Sequence, residues 1–171
     1  MSVKTAKHAT HLIVVMGTTG CGKSTTGTAL AAVLDATYLE GDDYHSLQNK
    51  EKMSAGTALT DTDRWPWLKT LAQAMAEQSG ITVTSCSSLK KSYRRYISDN
   101  AREPVLFVHL NGSKETIAKR LAARQDHFMD TGLLDSQLAT LEPLEKDEYG
   151  FTVNIDQSVA QIVASIVSQL P

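Results

Sequence analysis

An apolar run, HLIVVM from His11 to Met16, ends directly on GTTGCGKS at residues 17–24. This junction restricts the chain more than any other feature. A near-continuous apolar run of that length suits a central parallel strand covered on both faces. The segment after it fits the pattern G-x-x-x-x-G-K-[ST]. Gly17 lets the chain leave the strand in a tight turn, and Gly20 and Gly22 permit backbone shapes that a Cβ would obstruct. Successive N–H groups over Gly17, Thr18, Thr19, Gly20, Cys21, Gly22, Lys23, Ser24 and Thr25 then face inward as an anion nest. A helix opening near Lys23 adds its positive end. Lys23 is expected to reach the β- and γ-phosphates of a nucleotide, and the Ser24 hydroxyl to ligate Mg²⁺. Cys21 reads as a small residue used for its backbone.

The rest of the chain alternates strand-like and helical patterns. Further short strands are expected at residues 37–40, 82–86, 105–110 and 151–155. Between them, Leu68, Leu71 and Met75 recur at i, i+3 and i+7, and Leu89, Tyr93 and Ile97 recur every four. Val159, Ile162, Val163, Ile166, Val167 and Leu170 make one apolar stripe. Pro66 is expected in the first turn of its helix, where a missing N–H does no harm. Strands alternating with helices imply an α/β fold of three layers, helices covering both faces of a five-stranded parallel sheet. No linker or repeat divides residues 1–171, so one domain is expected.

Composition removes several classes. A formal charge of −2 argues against a nucleic-acid binder that works through general positive potential. Two cysteines are too few for a disulfide scaffold and form no CxxC metal pattern. No apolar run approaches the ~18 residues that span a membrane, and residues 1–10 are too polar for a signal peptide. A cytoplasmic protein is expected. A GTPase would need more length and an NKxD motif, which is absent.

The second strand ends in Glu40-Gly41-Asp42-Asp43-Tyr44-His45. In an open α/β sheet, ligands bind outside the carboxyl ends of the strands, so Glu40, Asp42 and His45 fall beside the phosphate loop. Transfer of a phosphoryl group needs an acid near the metal's waters and an acid that orients the attacking hydroxyl. Asp42 is assigned to the hydroxyl and Glu40 to the metal, through water. Lys90, Lys91 and Arg94 follow the third strand, again at the ligand edge. Trp65 and Trp67 read as packing residues. Arg120 and Arg124 are four apart, hence on one helical face. They lead into a polar break at residues 124–134, with His127 and Phe128, expected to be a lid that carries cations onto the phosphates.

GDDYHSLQNKEKMSAGTALTDTDRWPWL, residues 41–68, resembles the acceptor segment of the gluconate kinase family, G-D-x-x-H-P-x-x-N-x-x-K-M-x-x-G-x-P-L-x-D-x-D-R-x-P-W-L. CSSLKKSYRR from Cys86 and RLAARQDHFMDTGLLDSQLATLE from Arg120 resemble two further blocks of that family. The resemblance implies transfer of the ATP γ-phosphate to the 6-hydroxyl of D-gluconate, with sheet order 2-3-1-4-5 and a possible homodimer. It places Asp42, His45, Arg64 and Lys90 in the acceptor pocket, with Lys23, Arg120 and Arg124 beside Asp42 in catalysis. Arg64 can grip a carboxylate through two parallel hydrogen bonds. Gln137 and Thr140 read as helix-surface residues, although the resemblance hints that their segment faces the site. Ser46, Ala58 and Ser88 depart from the family pattern, and none removes a charged group. A kinase for another small hydroxy acid such as shikimate, or a non-catalytic nucleotide-binding regulator, are the alternatives.

Overall fold

The computed structural model describes residues 11–124 and 131–171. Strands β1 (Leu12–Met16), β2 (Thr37–Glu40), β3 (Thr82–Ser85), β4 (Val105–Asn111) and β5 (Gly150–Asn154) form one sheet. Its order is β2-β3-β1-β4-β5 and every neighbouring pair is parallel. Fold class and strand order therefore agree with expectation, and strand bounds move by a residue at some ends.

The helices are α1 (Lys23–Leu34), α2 (Leu47–Ser54), α3 (Asp61–Ala76), α4 (Lys91–Ala101), α5 (Lys114–Ala122), α6 (Thr131–Thr140) and α7 (Val159–Gln169). A 3₁₀ turn, Gly41–Tyr44, joins β2 to α2. Among the described residues no helix is long and apolar enough to cross a membrane.

Strand alternation builds the two halves of the core. Ile13 and Val15 of β1 and Leu106, Val108 and Leu110 of β4 turn to one face. There they meet Leu30 and Ala31 of α1, Ile117 of α5 and Ile162, Val163 and Ile166 of α7. Leu12, Val14 and Met16 turn to the other face with Val105 and Phe107. Leu68, Leu71 and Met75 of α3 and Tyr93 and Ile97 of α4 cover them. All five β1 residues are buried, as the sequence of that strand requires. A strand so enclosed fixes where its last residue points the loop beyond it.

Three expectations change. Pro66 lies inside α3 rather than in its first turn. Thr60 and Asp63 form a capping box that starts the helix at Asp61, well before the apolar spacing begins. Reciprocal capping of this kind is worth about 1 kcal/mol, and it sets the helix start ahead of the proline. Next, α2 carries no apolar period and was not anticipated; Ser46 caps it through the Asn49 N–H. Finally, of the expected lid at 124–134, residues 131–134 belong to α6. His127 and Phe128 lie outside the described residues.

Candidate active site

The loops after β1, β2 and β3 meet at the carboxyl edge of the sheet. Gly17 N–H donates to the Ser87 carbonyl at 3.3 Å, tying the first loop to the third. A Cβ on Gly41 would lie 2.0 Å from the Ser85 carbonyl oxygen. Only glycine lets the chain after β2 pass this close to the end of β3. The Gly41 carbonyl in turn accepts from Trp67 Nε1 at 2.8 Å.

In the first loop, Gly22 sits at the N-cap of α1 with φ 91°, a left-handed shape. Lys23 Nζ donates to the Thr18 carbonyl at 2.9 Å, so its ammonium arches back over the loop. Thr18 and Gly20 are buried, Thr19 is half-buried, and Ser24 and Thr25 are exposed at the start of α1. This cradle fits a nucleotide's phosphates, with a cation above it and a helix N-terminus beneath.

Ser24 Oγ donates to Glu40 Oε2 at 2.7 Å. Glu40 also accepts from Tyr38 OH at 2.8 Å and Ser85 Oγ at 2.7 Å. Burial alone would raise the Glu40 pKa, but these hydrogen bonds and the Lys23 charge outweigh it and hold it below the usual range. Glu40 is therefore a fixed carboxylate against the Ser24 hydroxyl. Hard oxygen donors of this kind suit Mg²⁺, which keeps several waters and takes few protein ligands. Among the described residues no cluster of three or more His, Cys, Asp or Glu could hold a metal.

Asp42 follows in the 3₁₀ turn. Partial loss of hydration pushes its pKa upward and Glu40 adds to this, while Lys23 opposes it. Its side chain keeps 83% exposure, so water still reaches it and it stays an ordinary acid tuned upward. His45 is buried and stacks on Trp67, ring centroids 3.9 Å apart and 20° from parallel. Burial, helped by the Lys50 and Arg64 charges, pushes its pKa down to about 4. The imidazole is thus neutral near pH 7, and its 3.9 Å approach to Asp42 is not an ion pair.

Arg64 and Lys90 come together at the facing N-termini of α3 and α4. Asp61 lies between them, 3.6 Å from Arg64 Nη1 and 3.3 Å from Lys90 Nζ. Tyr93 OH donates to Asp61 and accepts from Arg64 Nη1 at 3.2 Å. The Tyr93 hydrogen bond, followed by the two cations, holds the Asp61 carboxyl below its usual range. Two cations against one acid leave a net positive charge for an anionic group.

Lys91 and Arg94 do not join this group, contrary to the ligand-edge assignment. Lys91 pairs with Glu145 and Asp147. Arg94 is 1% exposed and grips Glu148 with two hydrogen bonds, Nε to Oε1 at 2.6 Å and Nη2 to Oε2 at 3.0 Å. Its Nη1 donates to the Ser88 carbonyl at 2.9 Å. It is a buried clamp between α4 and the segment before β5.

The expected shared helical face of Arg120 and Arg124 is not found. Arg120 lies in α5, but the helix ends at Ala122, so Arg124 is not on its face. Arg120 Nη2 donates to the Ile155 carbonyl at 2.6 Å and Nη1 approaches the Cys21 carbonyl at 3.5 Å. It thereby ties the phosphate loop to the chain just after β5. Arg124 is exposed.

The sequence reading missed several residues of the site. Gln137 of α6 accepts from the Thr19 N–H at 2.6 Å, bridging α6 to the phosphate loop. The resemblance of its segment was the one available signal. Asn49 and Asp61 were visible only as motif matches, without roles, and Tyr93 only as part of a helical apolar period and a motif. Trp67 is a packing residue as expected, although the surface it packs is His45.

Comparison with known proteins gives a consistent picture. A family model described as an AAA domain matches residues 12–144. A probable gluconokinase of Xenopus tropicalis is 39% identical, over 93% of each chain. The thermoresistant gluconokinase of Escherichia coli (strain K12) is 38% identical, over 96% of each chain. The crystal structure of a gluconokinase from Sinorhizobium meliloti 1021 superposes with a TM-score of 0.86 at 41% identity, covering 94% of this chain and 91% of that one.

Proposed function

The chain belongs to the gluconokinase family, and on that premise we infer that it uses ATP to phosphorylate D-gluconate at the 6-hydroxyl, giving 6-phospho-D-gluconate and ADP. One juxtaposition carries this reading. The Ser24–Glu40 pair beside the phosphate loop is followed within a few residues by Asp42 and His45, and the Arg64–Lys90 cations stand nearby. A polyol acid needs both ends of that arrangement, an acid for the hydroxyl and cations for the carboxylate.

The residues divide the work as follows. The loop amides, apart from those of Gly17, Thr19 and Cys21 that already bond Ser87, Gln137 and Thr18, and the Lys23 ammonium bind the phosphates of ATP. Ser24, and Glu40 through water, would hold Mg²⁺, which would supply neutralisation of the phosphate charge. Arg64 and Lys90 hold the gluconate carboxylate, displacing part of their contact with Asp61. His45 binds the polyol beside Asp42. Asp42 accepts the proton of the attacking hydroxyl and orients its oxygen in line with the γ-phosphorus. Arg120 braces the loop, and Arg124 is the second cation for the transferring phosphoryl group. Both cysteines are free and buried, which suits a reduced cytoplasmic setting, and residues 1–171 act as one domain.

The test is to identify the product. Incubation with Mg-ATP and D-gluconate, followed by phosphorus and carbon NMR, should give one phosphomonoester on C6. A phosphate on another carbon, or ADP formed without a phosphorylated acid, would overturn the assignment.

A further inference from the structure

The proton position on His45 can be read from its neighbours. Asn49 is buried, and its Nδ2 lies 2.9 Å from the main-chain oxygen of Asp63. A carbonyl can only accept, so this end of the carboxamide is the NH₂ group. The same Nδ2 lies 3.3 Å from His45 Nδ1. With one hydrogen on the Asp63 carbonyl, the other faces the ring nitrogen, which must present its lone pair. A neutral imidazole with an accepting Nδ1 carries its proton on Nε2.

That nitrogen is 3.9 Å from Asp42 Oδ1. The gap is too long for a direct hydrogen bond, and an oxygen placed off the line between the two atoms can reach both. The ring cannot readily turn over, because it is clamped against Trp67, itself anchored to the Gly41 carbonyl. The charged and titratable groups around it are Asp42 from the 3₁₀ turn, Lys50 from α2 and Arg64 from α3. Both cations disfavour an imidazolium.

We propose that His45 is a neutral Nε2–H donor to a polyol oxygen that also touches Asp42, and that Asn49 is the positioning residue that fixes this tautomer. The proposal rests on the gluconate reading for its ligand and on geometry alone for its tautomer. Asn49 acts through His45 and touches no substrate. A hydroxyl held this way accepts from the imidazole and donates to the carboxylate, so its oxygen is oriented by two partners of opposite kind.

The experiment uses ¹⁵N-edited spectra of the full chain with histidine-labelled protein, the His45 signals identified by their loss in His45→Gln. Wild type should show the Nε2–H tautomer and stay neutral from pH 8 to pH 5. In Asn49→Asp a carboxylate that can only accept faces Nδ1. The ring should then take a proton on Nδ1 or become an imidazolium, with a new ionisation in the gluconate kcat/KM profile. The gluconate KM should rise at least tenfold while the ATP KM stays within twofold. Asn49→Ala, which removes the constraint without reversing it, should give mixed tautomers and an intermediate KM. An Nδ1–H spectrum in a wild-type enzyme that phosphorylates gluconate overturns the inference alone. So does a switched tautomer in Asn49→Asp with an unchanged gluconate KM. A wild-type Nε2–H spectrum without gluconate turnover overturns the substrate reading and leaves the tautomer assignment standing.

Discussion

Replacing Arg94 by methionine keeps most of the aliphatic stem and removes the guanidinium. The side chain is 1% exposed and its partner Glu148 is 10% exposed, so the variant leaves a carboxylate buried without its cation. It also strips donors from the Ser88 and Leu89 carbonyls. Breaking a buried pair by removing one partner costs about 3–5 kcal/mol. In a domain of this size each kcal/mol moves Tm by about 2–4 °C, so the melting temperature should fall by roughly 6–20 °C. The partner's titration points the same way. Burial would raise the Glu148 pKa, but the Arg94 hydrogen bonds lead the effects that bring it below the usual range. A carboxylate depressed on folding contributes stability at neutral pH that is lost as pH falls through its folded pKa. The difference between wild type and Arg94→Met should therefore shrink in acid. Arg94→Met/Glu148→Leu should recover at least half of the loss, because no charge is then stranded. Urea unfolding at pH 7 and in acid, with ATP and gluconate KM on the same preparations, reads all of this. A stability loss below about 1 kcal/mol with a gluconate KM raised tenfold would return Arg94 to the ligand edge and refute the clamp.

Asp42→Asn should lower kcat by about 10²–10⁴-fold, the range for a general base, with little change in ATP KM. In wild type the acid limb of kcat/KM should lie above the ordinary carboxylate value, since partial loss of hydration and Glu40 push Asp42 upward; a limb at or below that value contradicts the tuning. Gln137→Ala removes the partner of the Thr19 N–H. A hydrogen bond worth about 1 kcal/mol should make that amide exchange about fivefold faster, and unchanged exchange would detach α6 from the loop. Gly41→Ala forces a Cβ against the Ser85 carbonyl. The chain after β2 must shift, costing about 1–3 kcal/mol and displacing Asp42, so kcat should fall along with the urea midpoint; wild-type values for both would contradict the close approach.

What could be read from sequence divides along a physical line. The β1–loop–α1 unit was legible because the chemistry is local: a buried strand, a glycine turn and a helix start lie within 14 residues of Leu12. Glu40 and Asp42 were legible because strand ends share one edge of the sheet. Arg94 was misplaced because its partner, Glu148, is 54 positions away and nothing in the spacing announces it. Arg120 and Arg124 looked like one face because periodicity does not say where a helix stops. Pro66 was placed a turn too early because the start of α3 is set by Thr60 and Asp63 rather than by apolar residues. Gln137 meets Thr19 across 118 positions, a contact visible only in the folded chain.

The central claim is that the phosphate loop and the Asp42–Arg64 side serve one reaction on a sugar acid. A coupled ADP-release assay tests it with Mg-ATP against D-gluconate, 2-keto-gluconate, shikimate, glycerate and no acceptor. The account predicts strong turnover with D-gluconate and little with the others. Turnover on another acid in preference to gluconate, or ADP release indifferent to any acceptor, would contradict it.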